Sequence, residues 1–239
     1  MRVGILTNNF SKLNHITRKL KNAEFNLVHL KKIPIVDHEI DVIVTDEPIE
    51  DCLTPNIIPG NLDILELKIR CAYYQKDSLT IGIDPGGICG LVASSNNHLL
   101  FQKEFKSIVI MTEIIISIDN EIGLKNIKIG IGSPPTRNLI VSSLQKYKSK
   151  IQFIDERRSG SGSHIEAAIR IASRIPEPKE PSEYSPKDGE IAWIQKQSRR
   201  LSKGLITINK ETANRILLGE MSMEEAIKKY TESLVKTKL

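Results

Sequence analysis

Leu79-Thr80-Ile81-Gly82-Ile83-Asp84-Pro85-Gly86-Gly87-Ile88-Cys89-Gly90-Leu91-Val92 is the stretch that decides the fold. Its first half, Leu79 to Asp84, has the apolar content of a buried strand and delivers one carboxylate into a tight Pro-Gly-Gly turn. Gly90 to Ser94 then returns as a second apolar strand. A carboxylate at the end of a buried strand is costly to keep without a partner, usually a metal or a phosphate-bearing ligand. Asp84 is therefore the first candidate functional residue.

Downstream, Ser95-Asn96-Asn97 is a turn signal and His98 to Phe105 a third strand, so the three strands predict an antiparallel meander. Ser107 to Ile118 is an apolar helix candidate whose β-branched content leaves a strand open. A strand over Asn126–Gly132, a helix over Arg137–Tyr147 and a strand over Ile151–Asp155 follow. Ser163-His164-Ile165-Glu166 is a capping box that opens a helix running to about Arg174. A Pro-rich connector, Pro176 to Pro186, leads to a helix over Asp188–Leu201. The expected order is β-β-β-α-β-α-β-α-α. Two short helices close the chain, Lys210 to Leu218 and one opened by a capping box at Ser222-Met223-Glu224-Glu225; they read as packing or partner material.

Upstream, Val3 to Thr7, Phe25 to Leu30 and Asp41 to Asp46 read as strands, the last buried on both faces and ending in an acid. Ser11 can cap a helix carrying Leu13, Ile16 and Leu20 on one face. This alternation suggests a parallel, Rossmann-like unit, although no Gly-rich phosphate loop follows its first strand. Pro55 to Gln75 links the halves, with a strand or helix over Leu62–Ile69.

The 239 residues suit one large or two small domains, and 40% hydrophobic content suffices for a core built mainly from Ile, Leu and Val. The net charge of +5 suits an anionic partner such as nucleic acid, and equally a generically basic soluble protein. Cys52, Cys71 and Cys89 match no zinc spacing and no disulfide framework, and fit a reducing interior. The N-terminus begins a strand at once, and the apolar run Ile108–Ile118 is too short to span a bilayer. A cytoplasmic protein with no membrane partner is expected.

Three meandering strands followed by alternating helices and strands is the order of an RNase H-like fold. Its chemistry needs several carboxylates at one sheet edge, holding two divalent metals about 3.5–4 Å apart. Phe153-Ile154-Asp155-Glu156-Arg157-Arg158-Ser159-Gly160 offers two acids, of which strand alternation lets at most one join Asp84. Asp188 opens a helix, where the helix dipole alone also favours an acid.

These residues resemble a known family. Ile81-Gly82-Ile83-Asp84-Pro85-Gly86 is similar to the opening strand of RuvC-type Holliday-junction resolvases, and Asp-Pro-Gly followed by Gly90 resembles RuvC/YqgF-like RNase H proteins more broadly. Ile129-Gly130-Ile131-Gly132-Ser133-Pro134 resembles the Gly-x-Pro strand of the YqgF branch, and Asp155-Glu156-Arg157-Arg158-Ser159 its Asp-Glu-Arg-x-Ser/Thr segment. Asp188-Gly189-Glu190-Ile191-Ala192 stands where that family carries a helix-borne Asp. The resemblance covers about residues 79 to 202. It implies that Asp84, Glu156 and Asp188 are catalytic metal ligands for Mg²⁺ or Mn²⁺, with Glu190 a weaker substitute. RuvC has a glutamate at the end of its fourth strand, where this chain reads Gly130-Ile131-Gly132-Ser133; that implies a YqgF-like site or fewer ligands.

The expected architecture is α/β in three parts. A small Rossmann-like α/β unit spans 1–76 and a helical tail 205–239. Between them, over 77–204, lies an RNase H-like mixed sheet of a three-strand antiparallel meander followed by parallel strands with helices. The expected activity is metal-dependent nuclease action on structured or branched DNA or RNA. A symmetric homodimer is the assembly that the resemblance implies. Arg157, Arg158, Arg137 and Asn138 are candidate nucleic-acid contacts at the same sheet end, with Arg199, Arg200 and Lys203 a further basic edge. For each, solvated surface charge is the alternative. The lone histidines, His164 among them, show no ligand spacing, and Trp193 is expected in the core. Two other classes stay open. One is a non-catalytic nucleic-acid-binding or assembly module of the same fold. The other is an actin/hexokinase-like ATPase, which needs two such domains where this chain has one Asp-Pro-Gly strand.

Overall fold

The structure, a computed structural model, describes residues 1–32, 39–96, 98–155, 162–176 and 184–236. Contacts divide the chain into two compact units. One comprises Met1–Thr80, Ala93–Phe101 and Glu113–Lys125; the other comprises Ile81–Val92, Gln102–Thr112 and Asn126–Leu239.

The first unit is built on β1 (Arg2–Leu6), α1 (Phe10–Leu20), β2 (Asn26–Leu30), β3 (Val42–Thr45), β4 (Asn56–Ile57) and α2 (Leu65–Tyr74). The sheet order is β2-β1-β3-β4, with β1–β2, β1–β3 and β3–β4 all parallel. Parallel neighbours need a crossover, which α1 supplies between β1 and β2. Val3, Ile5, Val42 and Val44 pack with Ile16 and Leu20 of α1 and Leu65 and Ile69 of α2 in one buried cluster. Helix α1 starts before Ser11: Asn9 is its cap, accepting from the Lys12 N–H at 3.0 Å. The ambiguous Leu62–Ile69 stretch is helical, a 3-10 turn over Leu62–Ile64 running into α2. The acid after β3, Asp46, is partnered. The Thr7 hydroxyl donates to it at 2.6 Å and Lys12 Nζ at 2.8 Å, and the Lys12 contact leads in holding its carboxyl below the usual range.

The second sheet contains β5 (Leu79–Asp84), β6 (Cys89–Ser95), β7 (His98–Phe105), β8 (Leu124–Gly130) and β9 (Ile151–Ile154), in the order β7-β6-β5-β8-β9. Connections as short as those between β5, β6 and β7 join neighbours antiparallel, whereas β8 and β9 are parallel. The sheet is therefore mixed. The run after β7 is helix, α3 (Ile108–Glu121): its apolar face, not its β-branched content, decides the matter, with Met111, Ile114, Ile115 and Ile118 buried. Helix α4 (Pro134–Ser143) starts at two prolines, which suit the first turn, and ends before a 3-10 stretch at Gln145–Lys150. Helix α5 (His164–Ser173) has the expected capping box, Ser163 with Glu166.

Helices α6 (Asp188–Leu201), α7 (Lys210–Leu217) and α8 (Met223–Lys236) follow. Ile191 and Ile194 of α6, Ala213, Ile216 and Leu217 of α7, and Met223 and Ala226 of α8 share one buried core with Leu139 of α4. The helix that precedes residue 204 thus packs with those after it. Trp193 is not in that core; it is 40% exposed. No helix among the described residues is long and apolar enough to cross a membrane.

Helix α5 lies unusually close to the sheet, because two strand positions lack side chains. A Cβ on Gly82 would stand 2.4 Å from the Ala168 carbonyl oxygen, and one on Gly90 2.1 Å from the His164 carbonyl oxygen. Both obstacles are backbone, which cannot swing away. Gly90→Ala should therefore destabilise the protein by about 1–3 kcal/mol in chemical denaturation. Gly87→Ala, whose added carbon meets nothing within 4 Å, should stay within about 0.5 kcal/mol of wild type. Equal midpoints for the two variants would contradict the close-packing account.

Candidate functional site

Asp84 ends β5 at the Pro-Gly-Gly turn, and its side chain is 14% exposed. The partner that such an acid requires is His164, whose Nδ1 lies 2.9 Å from Asp84 Oδ2. An ionised carboxylate only accepts, so Nδ1 carries the proton and donates. In neutral imidazole, Nε2 then keeps its lone pair. The capping box fixes His164 as the first residue of α5, and the missing side chain at Gly90 lets its backbone settle on β6. The far end of the helix is held too: Lys128 Nζ donates to the Ala172 and Arg174 carbonyls at 2.7 and 2.6 Å. His164 carries no spacing signal in the sequence. Its signal is the glycine pair plus the capping box, which together bring the first turn of α5 to the strand end.

The end of β8 adjoins the same turn. Ser133 Oγ and Thr136 Oγ1 are 3.2 Å apart, and Thr136 Oγ1 reaches the Gly86 carbonyl at 3.5 Å. The two candidate contacts that follow are turned inward. Arg137 is 5% exposed, lies over the Phe153 ring at 5.8 Å from its centre, and donates to the Ile131 carbonyl at a long 3.4 Å. Burial holds its pKa below the usual arginine value. Asn138 Nδ2 donates to the Leu217 carbonyl at 2.6 Å, tying α4 to the last turn of α7.

Glu156, Arg157 and Arg158 lie outside the described residues. Asp155 is half-buried at the end of β9, and its carbonyl accepts from Arg174 at 2.6 Å. Asp188 is in the first turn of α6, fully exposed and paired with Lys210 at 2.7 Å, a contact that lowers its pKa. Glu190 accepts from the Lys187 N–H at 2.8 Å and from the Tyr184 hydroxyl at 2.7 Å. Burial, then Glu190, pushes the Tyr184 phenol up. Among the described residues, no three His, Cys, Asp or Glu side chains gather as a metal-binding group. The structure thus brings Asp84 to His164 and engages Asp188 with Lys210. Arg199, Arg200 and Lys203 are exposed. Arg200 lines a cavity of about 330 Å³ with Lys106, Trp193, Leu201 and Met223.

One family description matches part of the chain: "Three helical bundle domain", over residues 187–232. That span takes in α6, α7 and most of α8. No curated protein and no solved structure matches the chain.

Because Asn138 satisfies a helix-end carbonyl from the bundle, Asn138→Ala should cost about 1–3 kcal/mol of stability, by leaving that acceptor unpaired. Chemical denaturation checks this, and an unchanged midpoint would show that the contact contributes nothing.

Proposed function

We propose that this chain is an RNase H-like, Mg²⁺- or Mn²⁺-dependent endonuclease acting on structured or branched nucleic acid. One observation carries the reading: a largely buried carboxylate, Asp84, sits at the end of the middle strand of a mixed sheet whose elements run β-β-β-α-β-α-β-α. This element order agrees with the one that the RuvC/YqgF resemblance implies, and Asp84 stands where that resemblance would have its first acid. The net charge of +5 adds support for a polyanionic partner.

The donor set fits a cation in part. Asp84 Oδ2 is engaged by His164, and Oδ1 has no hydrogen-bond partner among the described residues. A carboxylate oxygen is the donor that hard divalent ions prefer. A bound divalent ion supplies a Lewis acid for a phosphodiester oxygen and lowers the pKa of a water. Asp84 would hold it and His164 would orient Asp84. Glu156 is the next carboxylate in the proposed set. Asp188 would join only on releasing Lys210.

The run Gly130-Ile131-Gly132-Ser133, which carries no acid where RuvC has its glutamate, favours a second reading, a nucleic-acid-binding or assembly module of the same fold with weak or no cleavage. One assay separates the two. The purified chain is incubated with branched DNA, duplex DNA and RNA, with Mg²⁺, Mn²⁺ or EDTA. The nuclease reading predicts metal-dependent cleavage that falls by about 100-fold or more in Asp84→Asn, the upper end of what a metal-supporting carboxylate contributes. Cleavage indifferent to Asp84→Asn would remove Asp84 from the mechanism. Binding without cleavage would favour the module.

A further inference from the structure

We propose that the groove lined by α6, the start of α3 and the start of α8 receives one unpaired base of a nucleic acid, stacked on Trp193, with the adjoining phosphates on Lys106 and Arg200. The inference deepens the nucleic-acid reading above, on which it rests. It does not depend on the Asp84 site or on a metal.

The cavity there, of about 330 Å³, lies within a single compact unit. That is the small end of ligand pockets, so it suits a single base or nucleoside rather than a longer segment. Four of its lining residues come from one helix: Trp193, Gln197, Arg200 and Leu201. They stand at i, i+4, i+7 and i+8, the spacing of one helix face. The apolar part of that face is unfinished. Trp193 is 40% exposed and Leu201 49%, so the packing of the bundle leaves both partly uncovered. An exposed indole in the wall of a cavity is a stacking surface, because every base presents a π-face to it.

The polar part carries a sign. Lys106 and Arg200 are exposed, and neither has an ion-pair or hydrogen-bond partner among the described residues. Lys196, exposed at i+3 from Trp193, adds a third cation next to that face. Glu224 is the acid of the lining. A carboxylate accepts from the N–H groups of a base edge and repels phosphate, so it suits the base end of the ligand. A neutral apolar ligand would leave the cations without a role, and a bare phosphate would leave Trp193 without one. A nucleotide unit of a single strand uses both.

Trp193 is the only tryptophan of the chain, so its emission reports on this groove alone. The full chain is titrated in EDTA, which prevents cleavage, with a short mixed-sequence single strand, its duplex and an abasic phosphodiester of the same length. The single strand should quench Trp193. The duplex and the abasic chain should not, because neither offers a free base. This wild-type readout needs no variant. Affinity for an end-labelled single strand, followed by anisotropy, should weaken about 5–150-fold in Trp193→Leu, with its salt dependence unchanged. Lys106→Ala and Arg200→Ala should each flatten the slope of log affinity against log salt by about 0.7. A strand that binds without quenching, and equally well to Trp193→Leu, would overturn this inference and leave nucleic-acid binding elsewhere on the chain standing. Equal quenching by the duplex or the abasic chain would overturn the stacking. Emission that changes with protein concentration alone would give the groove to a second copy and overturn it too. So would the absence of any strand binding, while metal-dependent cleavage that requires Asp84 tests the nuclease reading separately.

Discussion

The close approach of α5 to the sheet at Gly82 and Gly90 is the constraint on which the site depends. Two absent side chains let a helix backbone rest on two strand backbones, and Val92, Ala168 and Ala172 fill the space between them. The consequence is positional. A helix at the usual distance would hold its first residue away from the strand end, whereas here His164 meets Asp84 at 2.9 Å. Lys128 and Arg174 secure the other end of the helix, through the Ala172, Arg174 and Asp155 carbonyls. The packing therefore sets the chemistry available at Asp84: a carboxylate in contact with an imidazole.

That pairing changes the meaning of the Asp-Pro-Gly strand. A semi-buried carboxylate needs compensation, and His164 supplies a charge-assisted hydrogen bond even with no cation present. The strand end is thus stable as a folded feature and still carries donors. The same economy explains the neighbouring residues. Arg137 has Phe153 and the Ile131 carbonyl, and Asn138 has Leu217, so their polar groups hold β8, β9 and the helical bundle together.

Much of the fold was legible because it rests on local pattern. The three-strand meander, the helix after it, the capping box at Ser163 and the order of later elements follow from apolar periodicity and turn chemistry. The Leu62–Ile69 and Ser107–Ile118 stretches were ambiguous between helix and strand, since short apolar runs satisfy both periods. What was not legible depends on partners far away in the chain. His164 lies 80 residues from Asp84, and its own capping box marks where the helix begins without naming what that end will meet. Asn138 meets α7 at a separation of 79 residues. Trp193 is a core residue by type, but the α6 face that is buried is the one carrying Ile191 and Ile194. Asp188 reads as a metal ligand by the resemblance, with the helix dipole as the plainer explanation of an acid there. Lys210, brought beside it by the packing of α7 on α6, gives it a partner the sequence could not assign.

The account turns on whether Asp84, oriented by His164, binds a divalent cation. The most direct measurement is a crystal structure of the full chain soaked in Mn²⁺, with data collected to reveal anomalous scattering. The account predicts a peak in coordinating contact with the Asp84 carboxylate, whose other oxygen stays hydrogen-bonded to His164 Nδ1. An ordered Asp84–His164 pair with no peak beside it, at an Mn²⁺ concentration that fills other sites on the molecule, would contradict it.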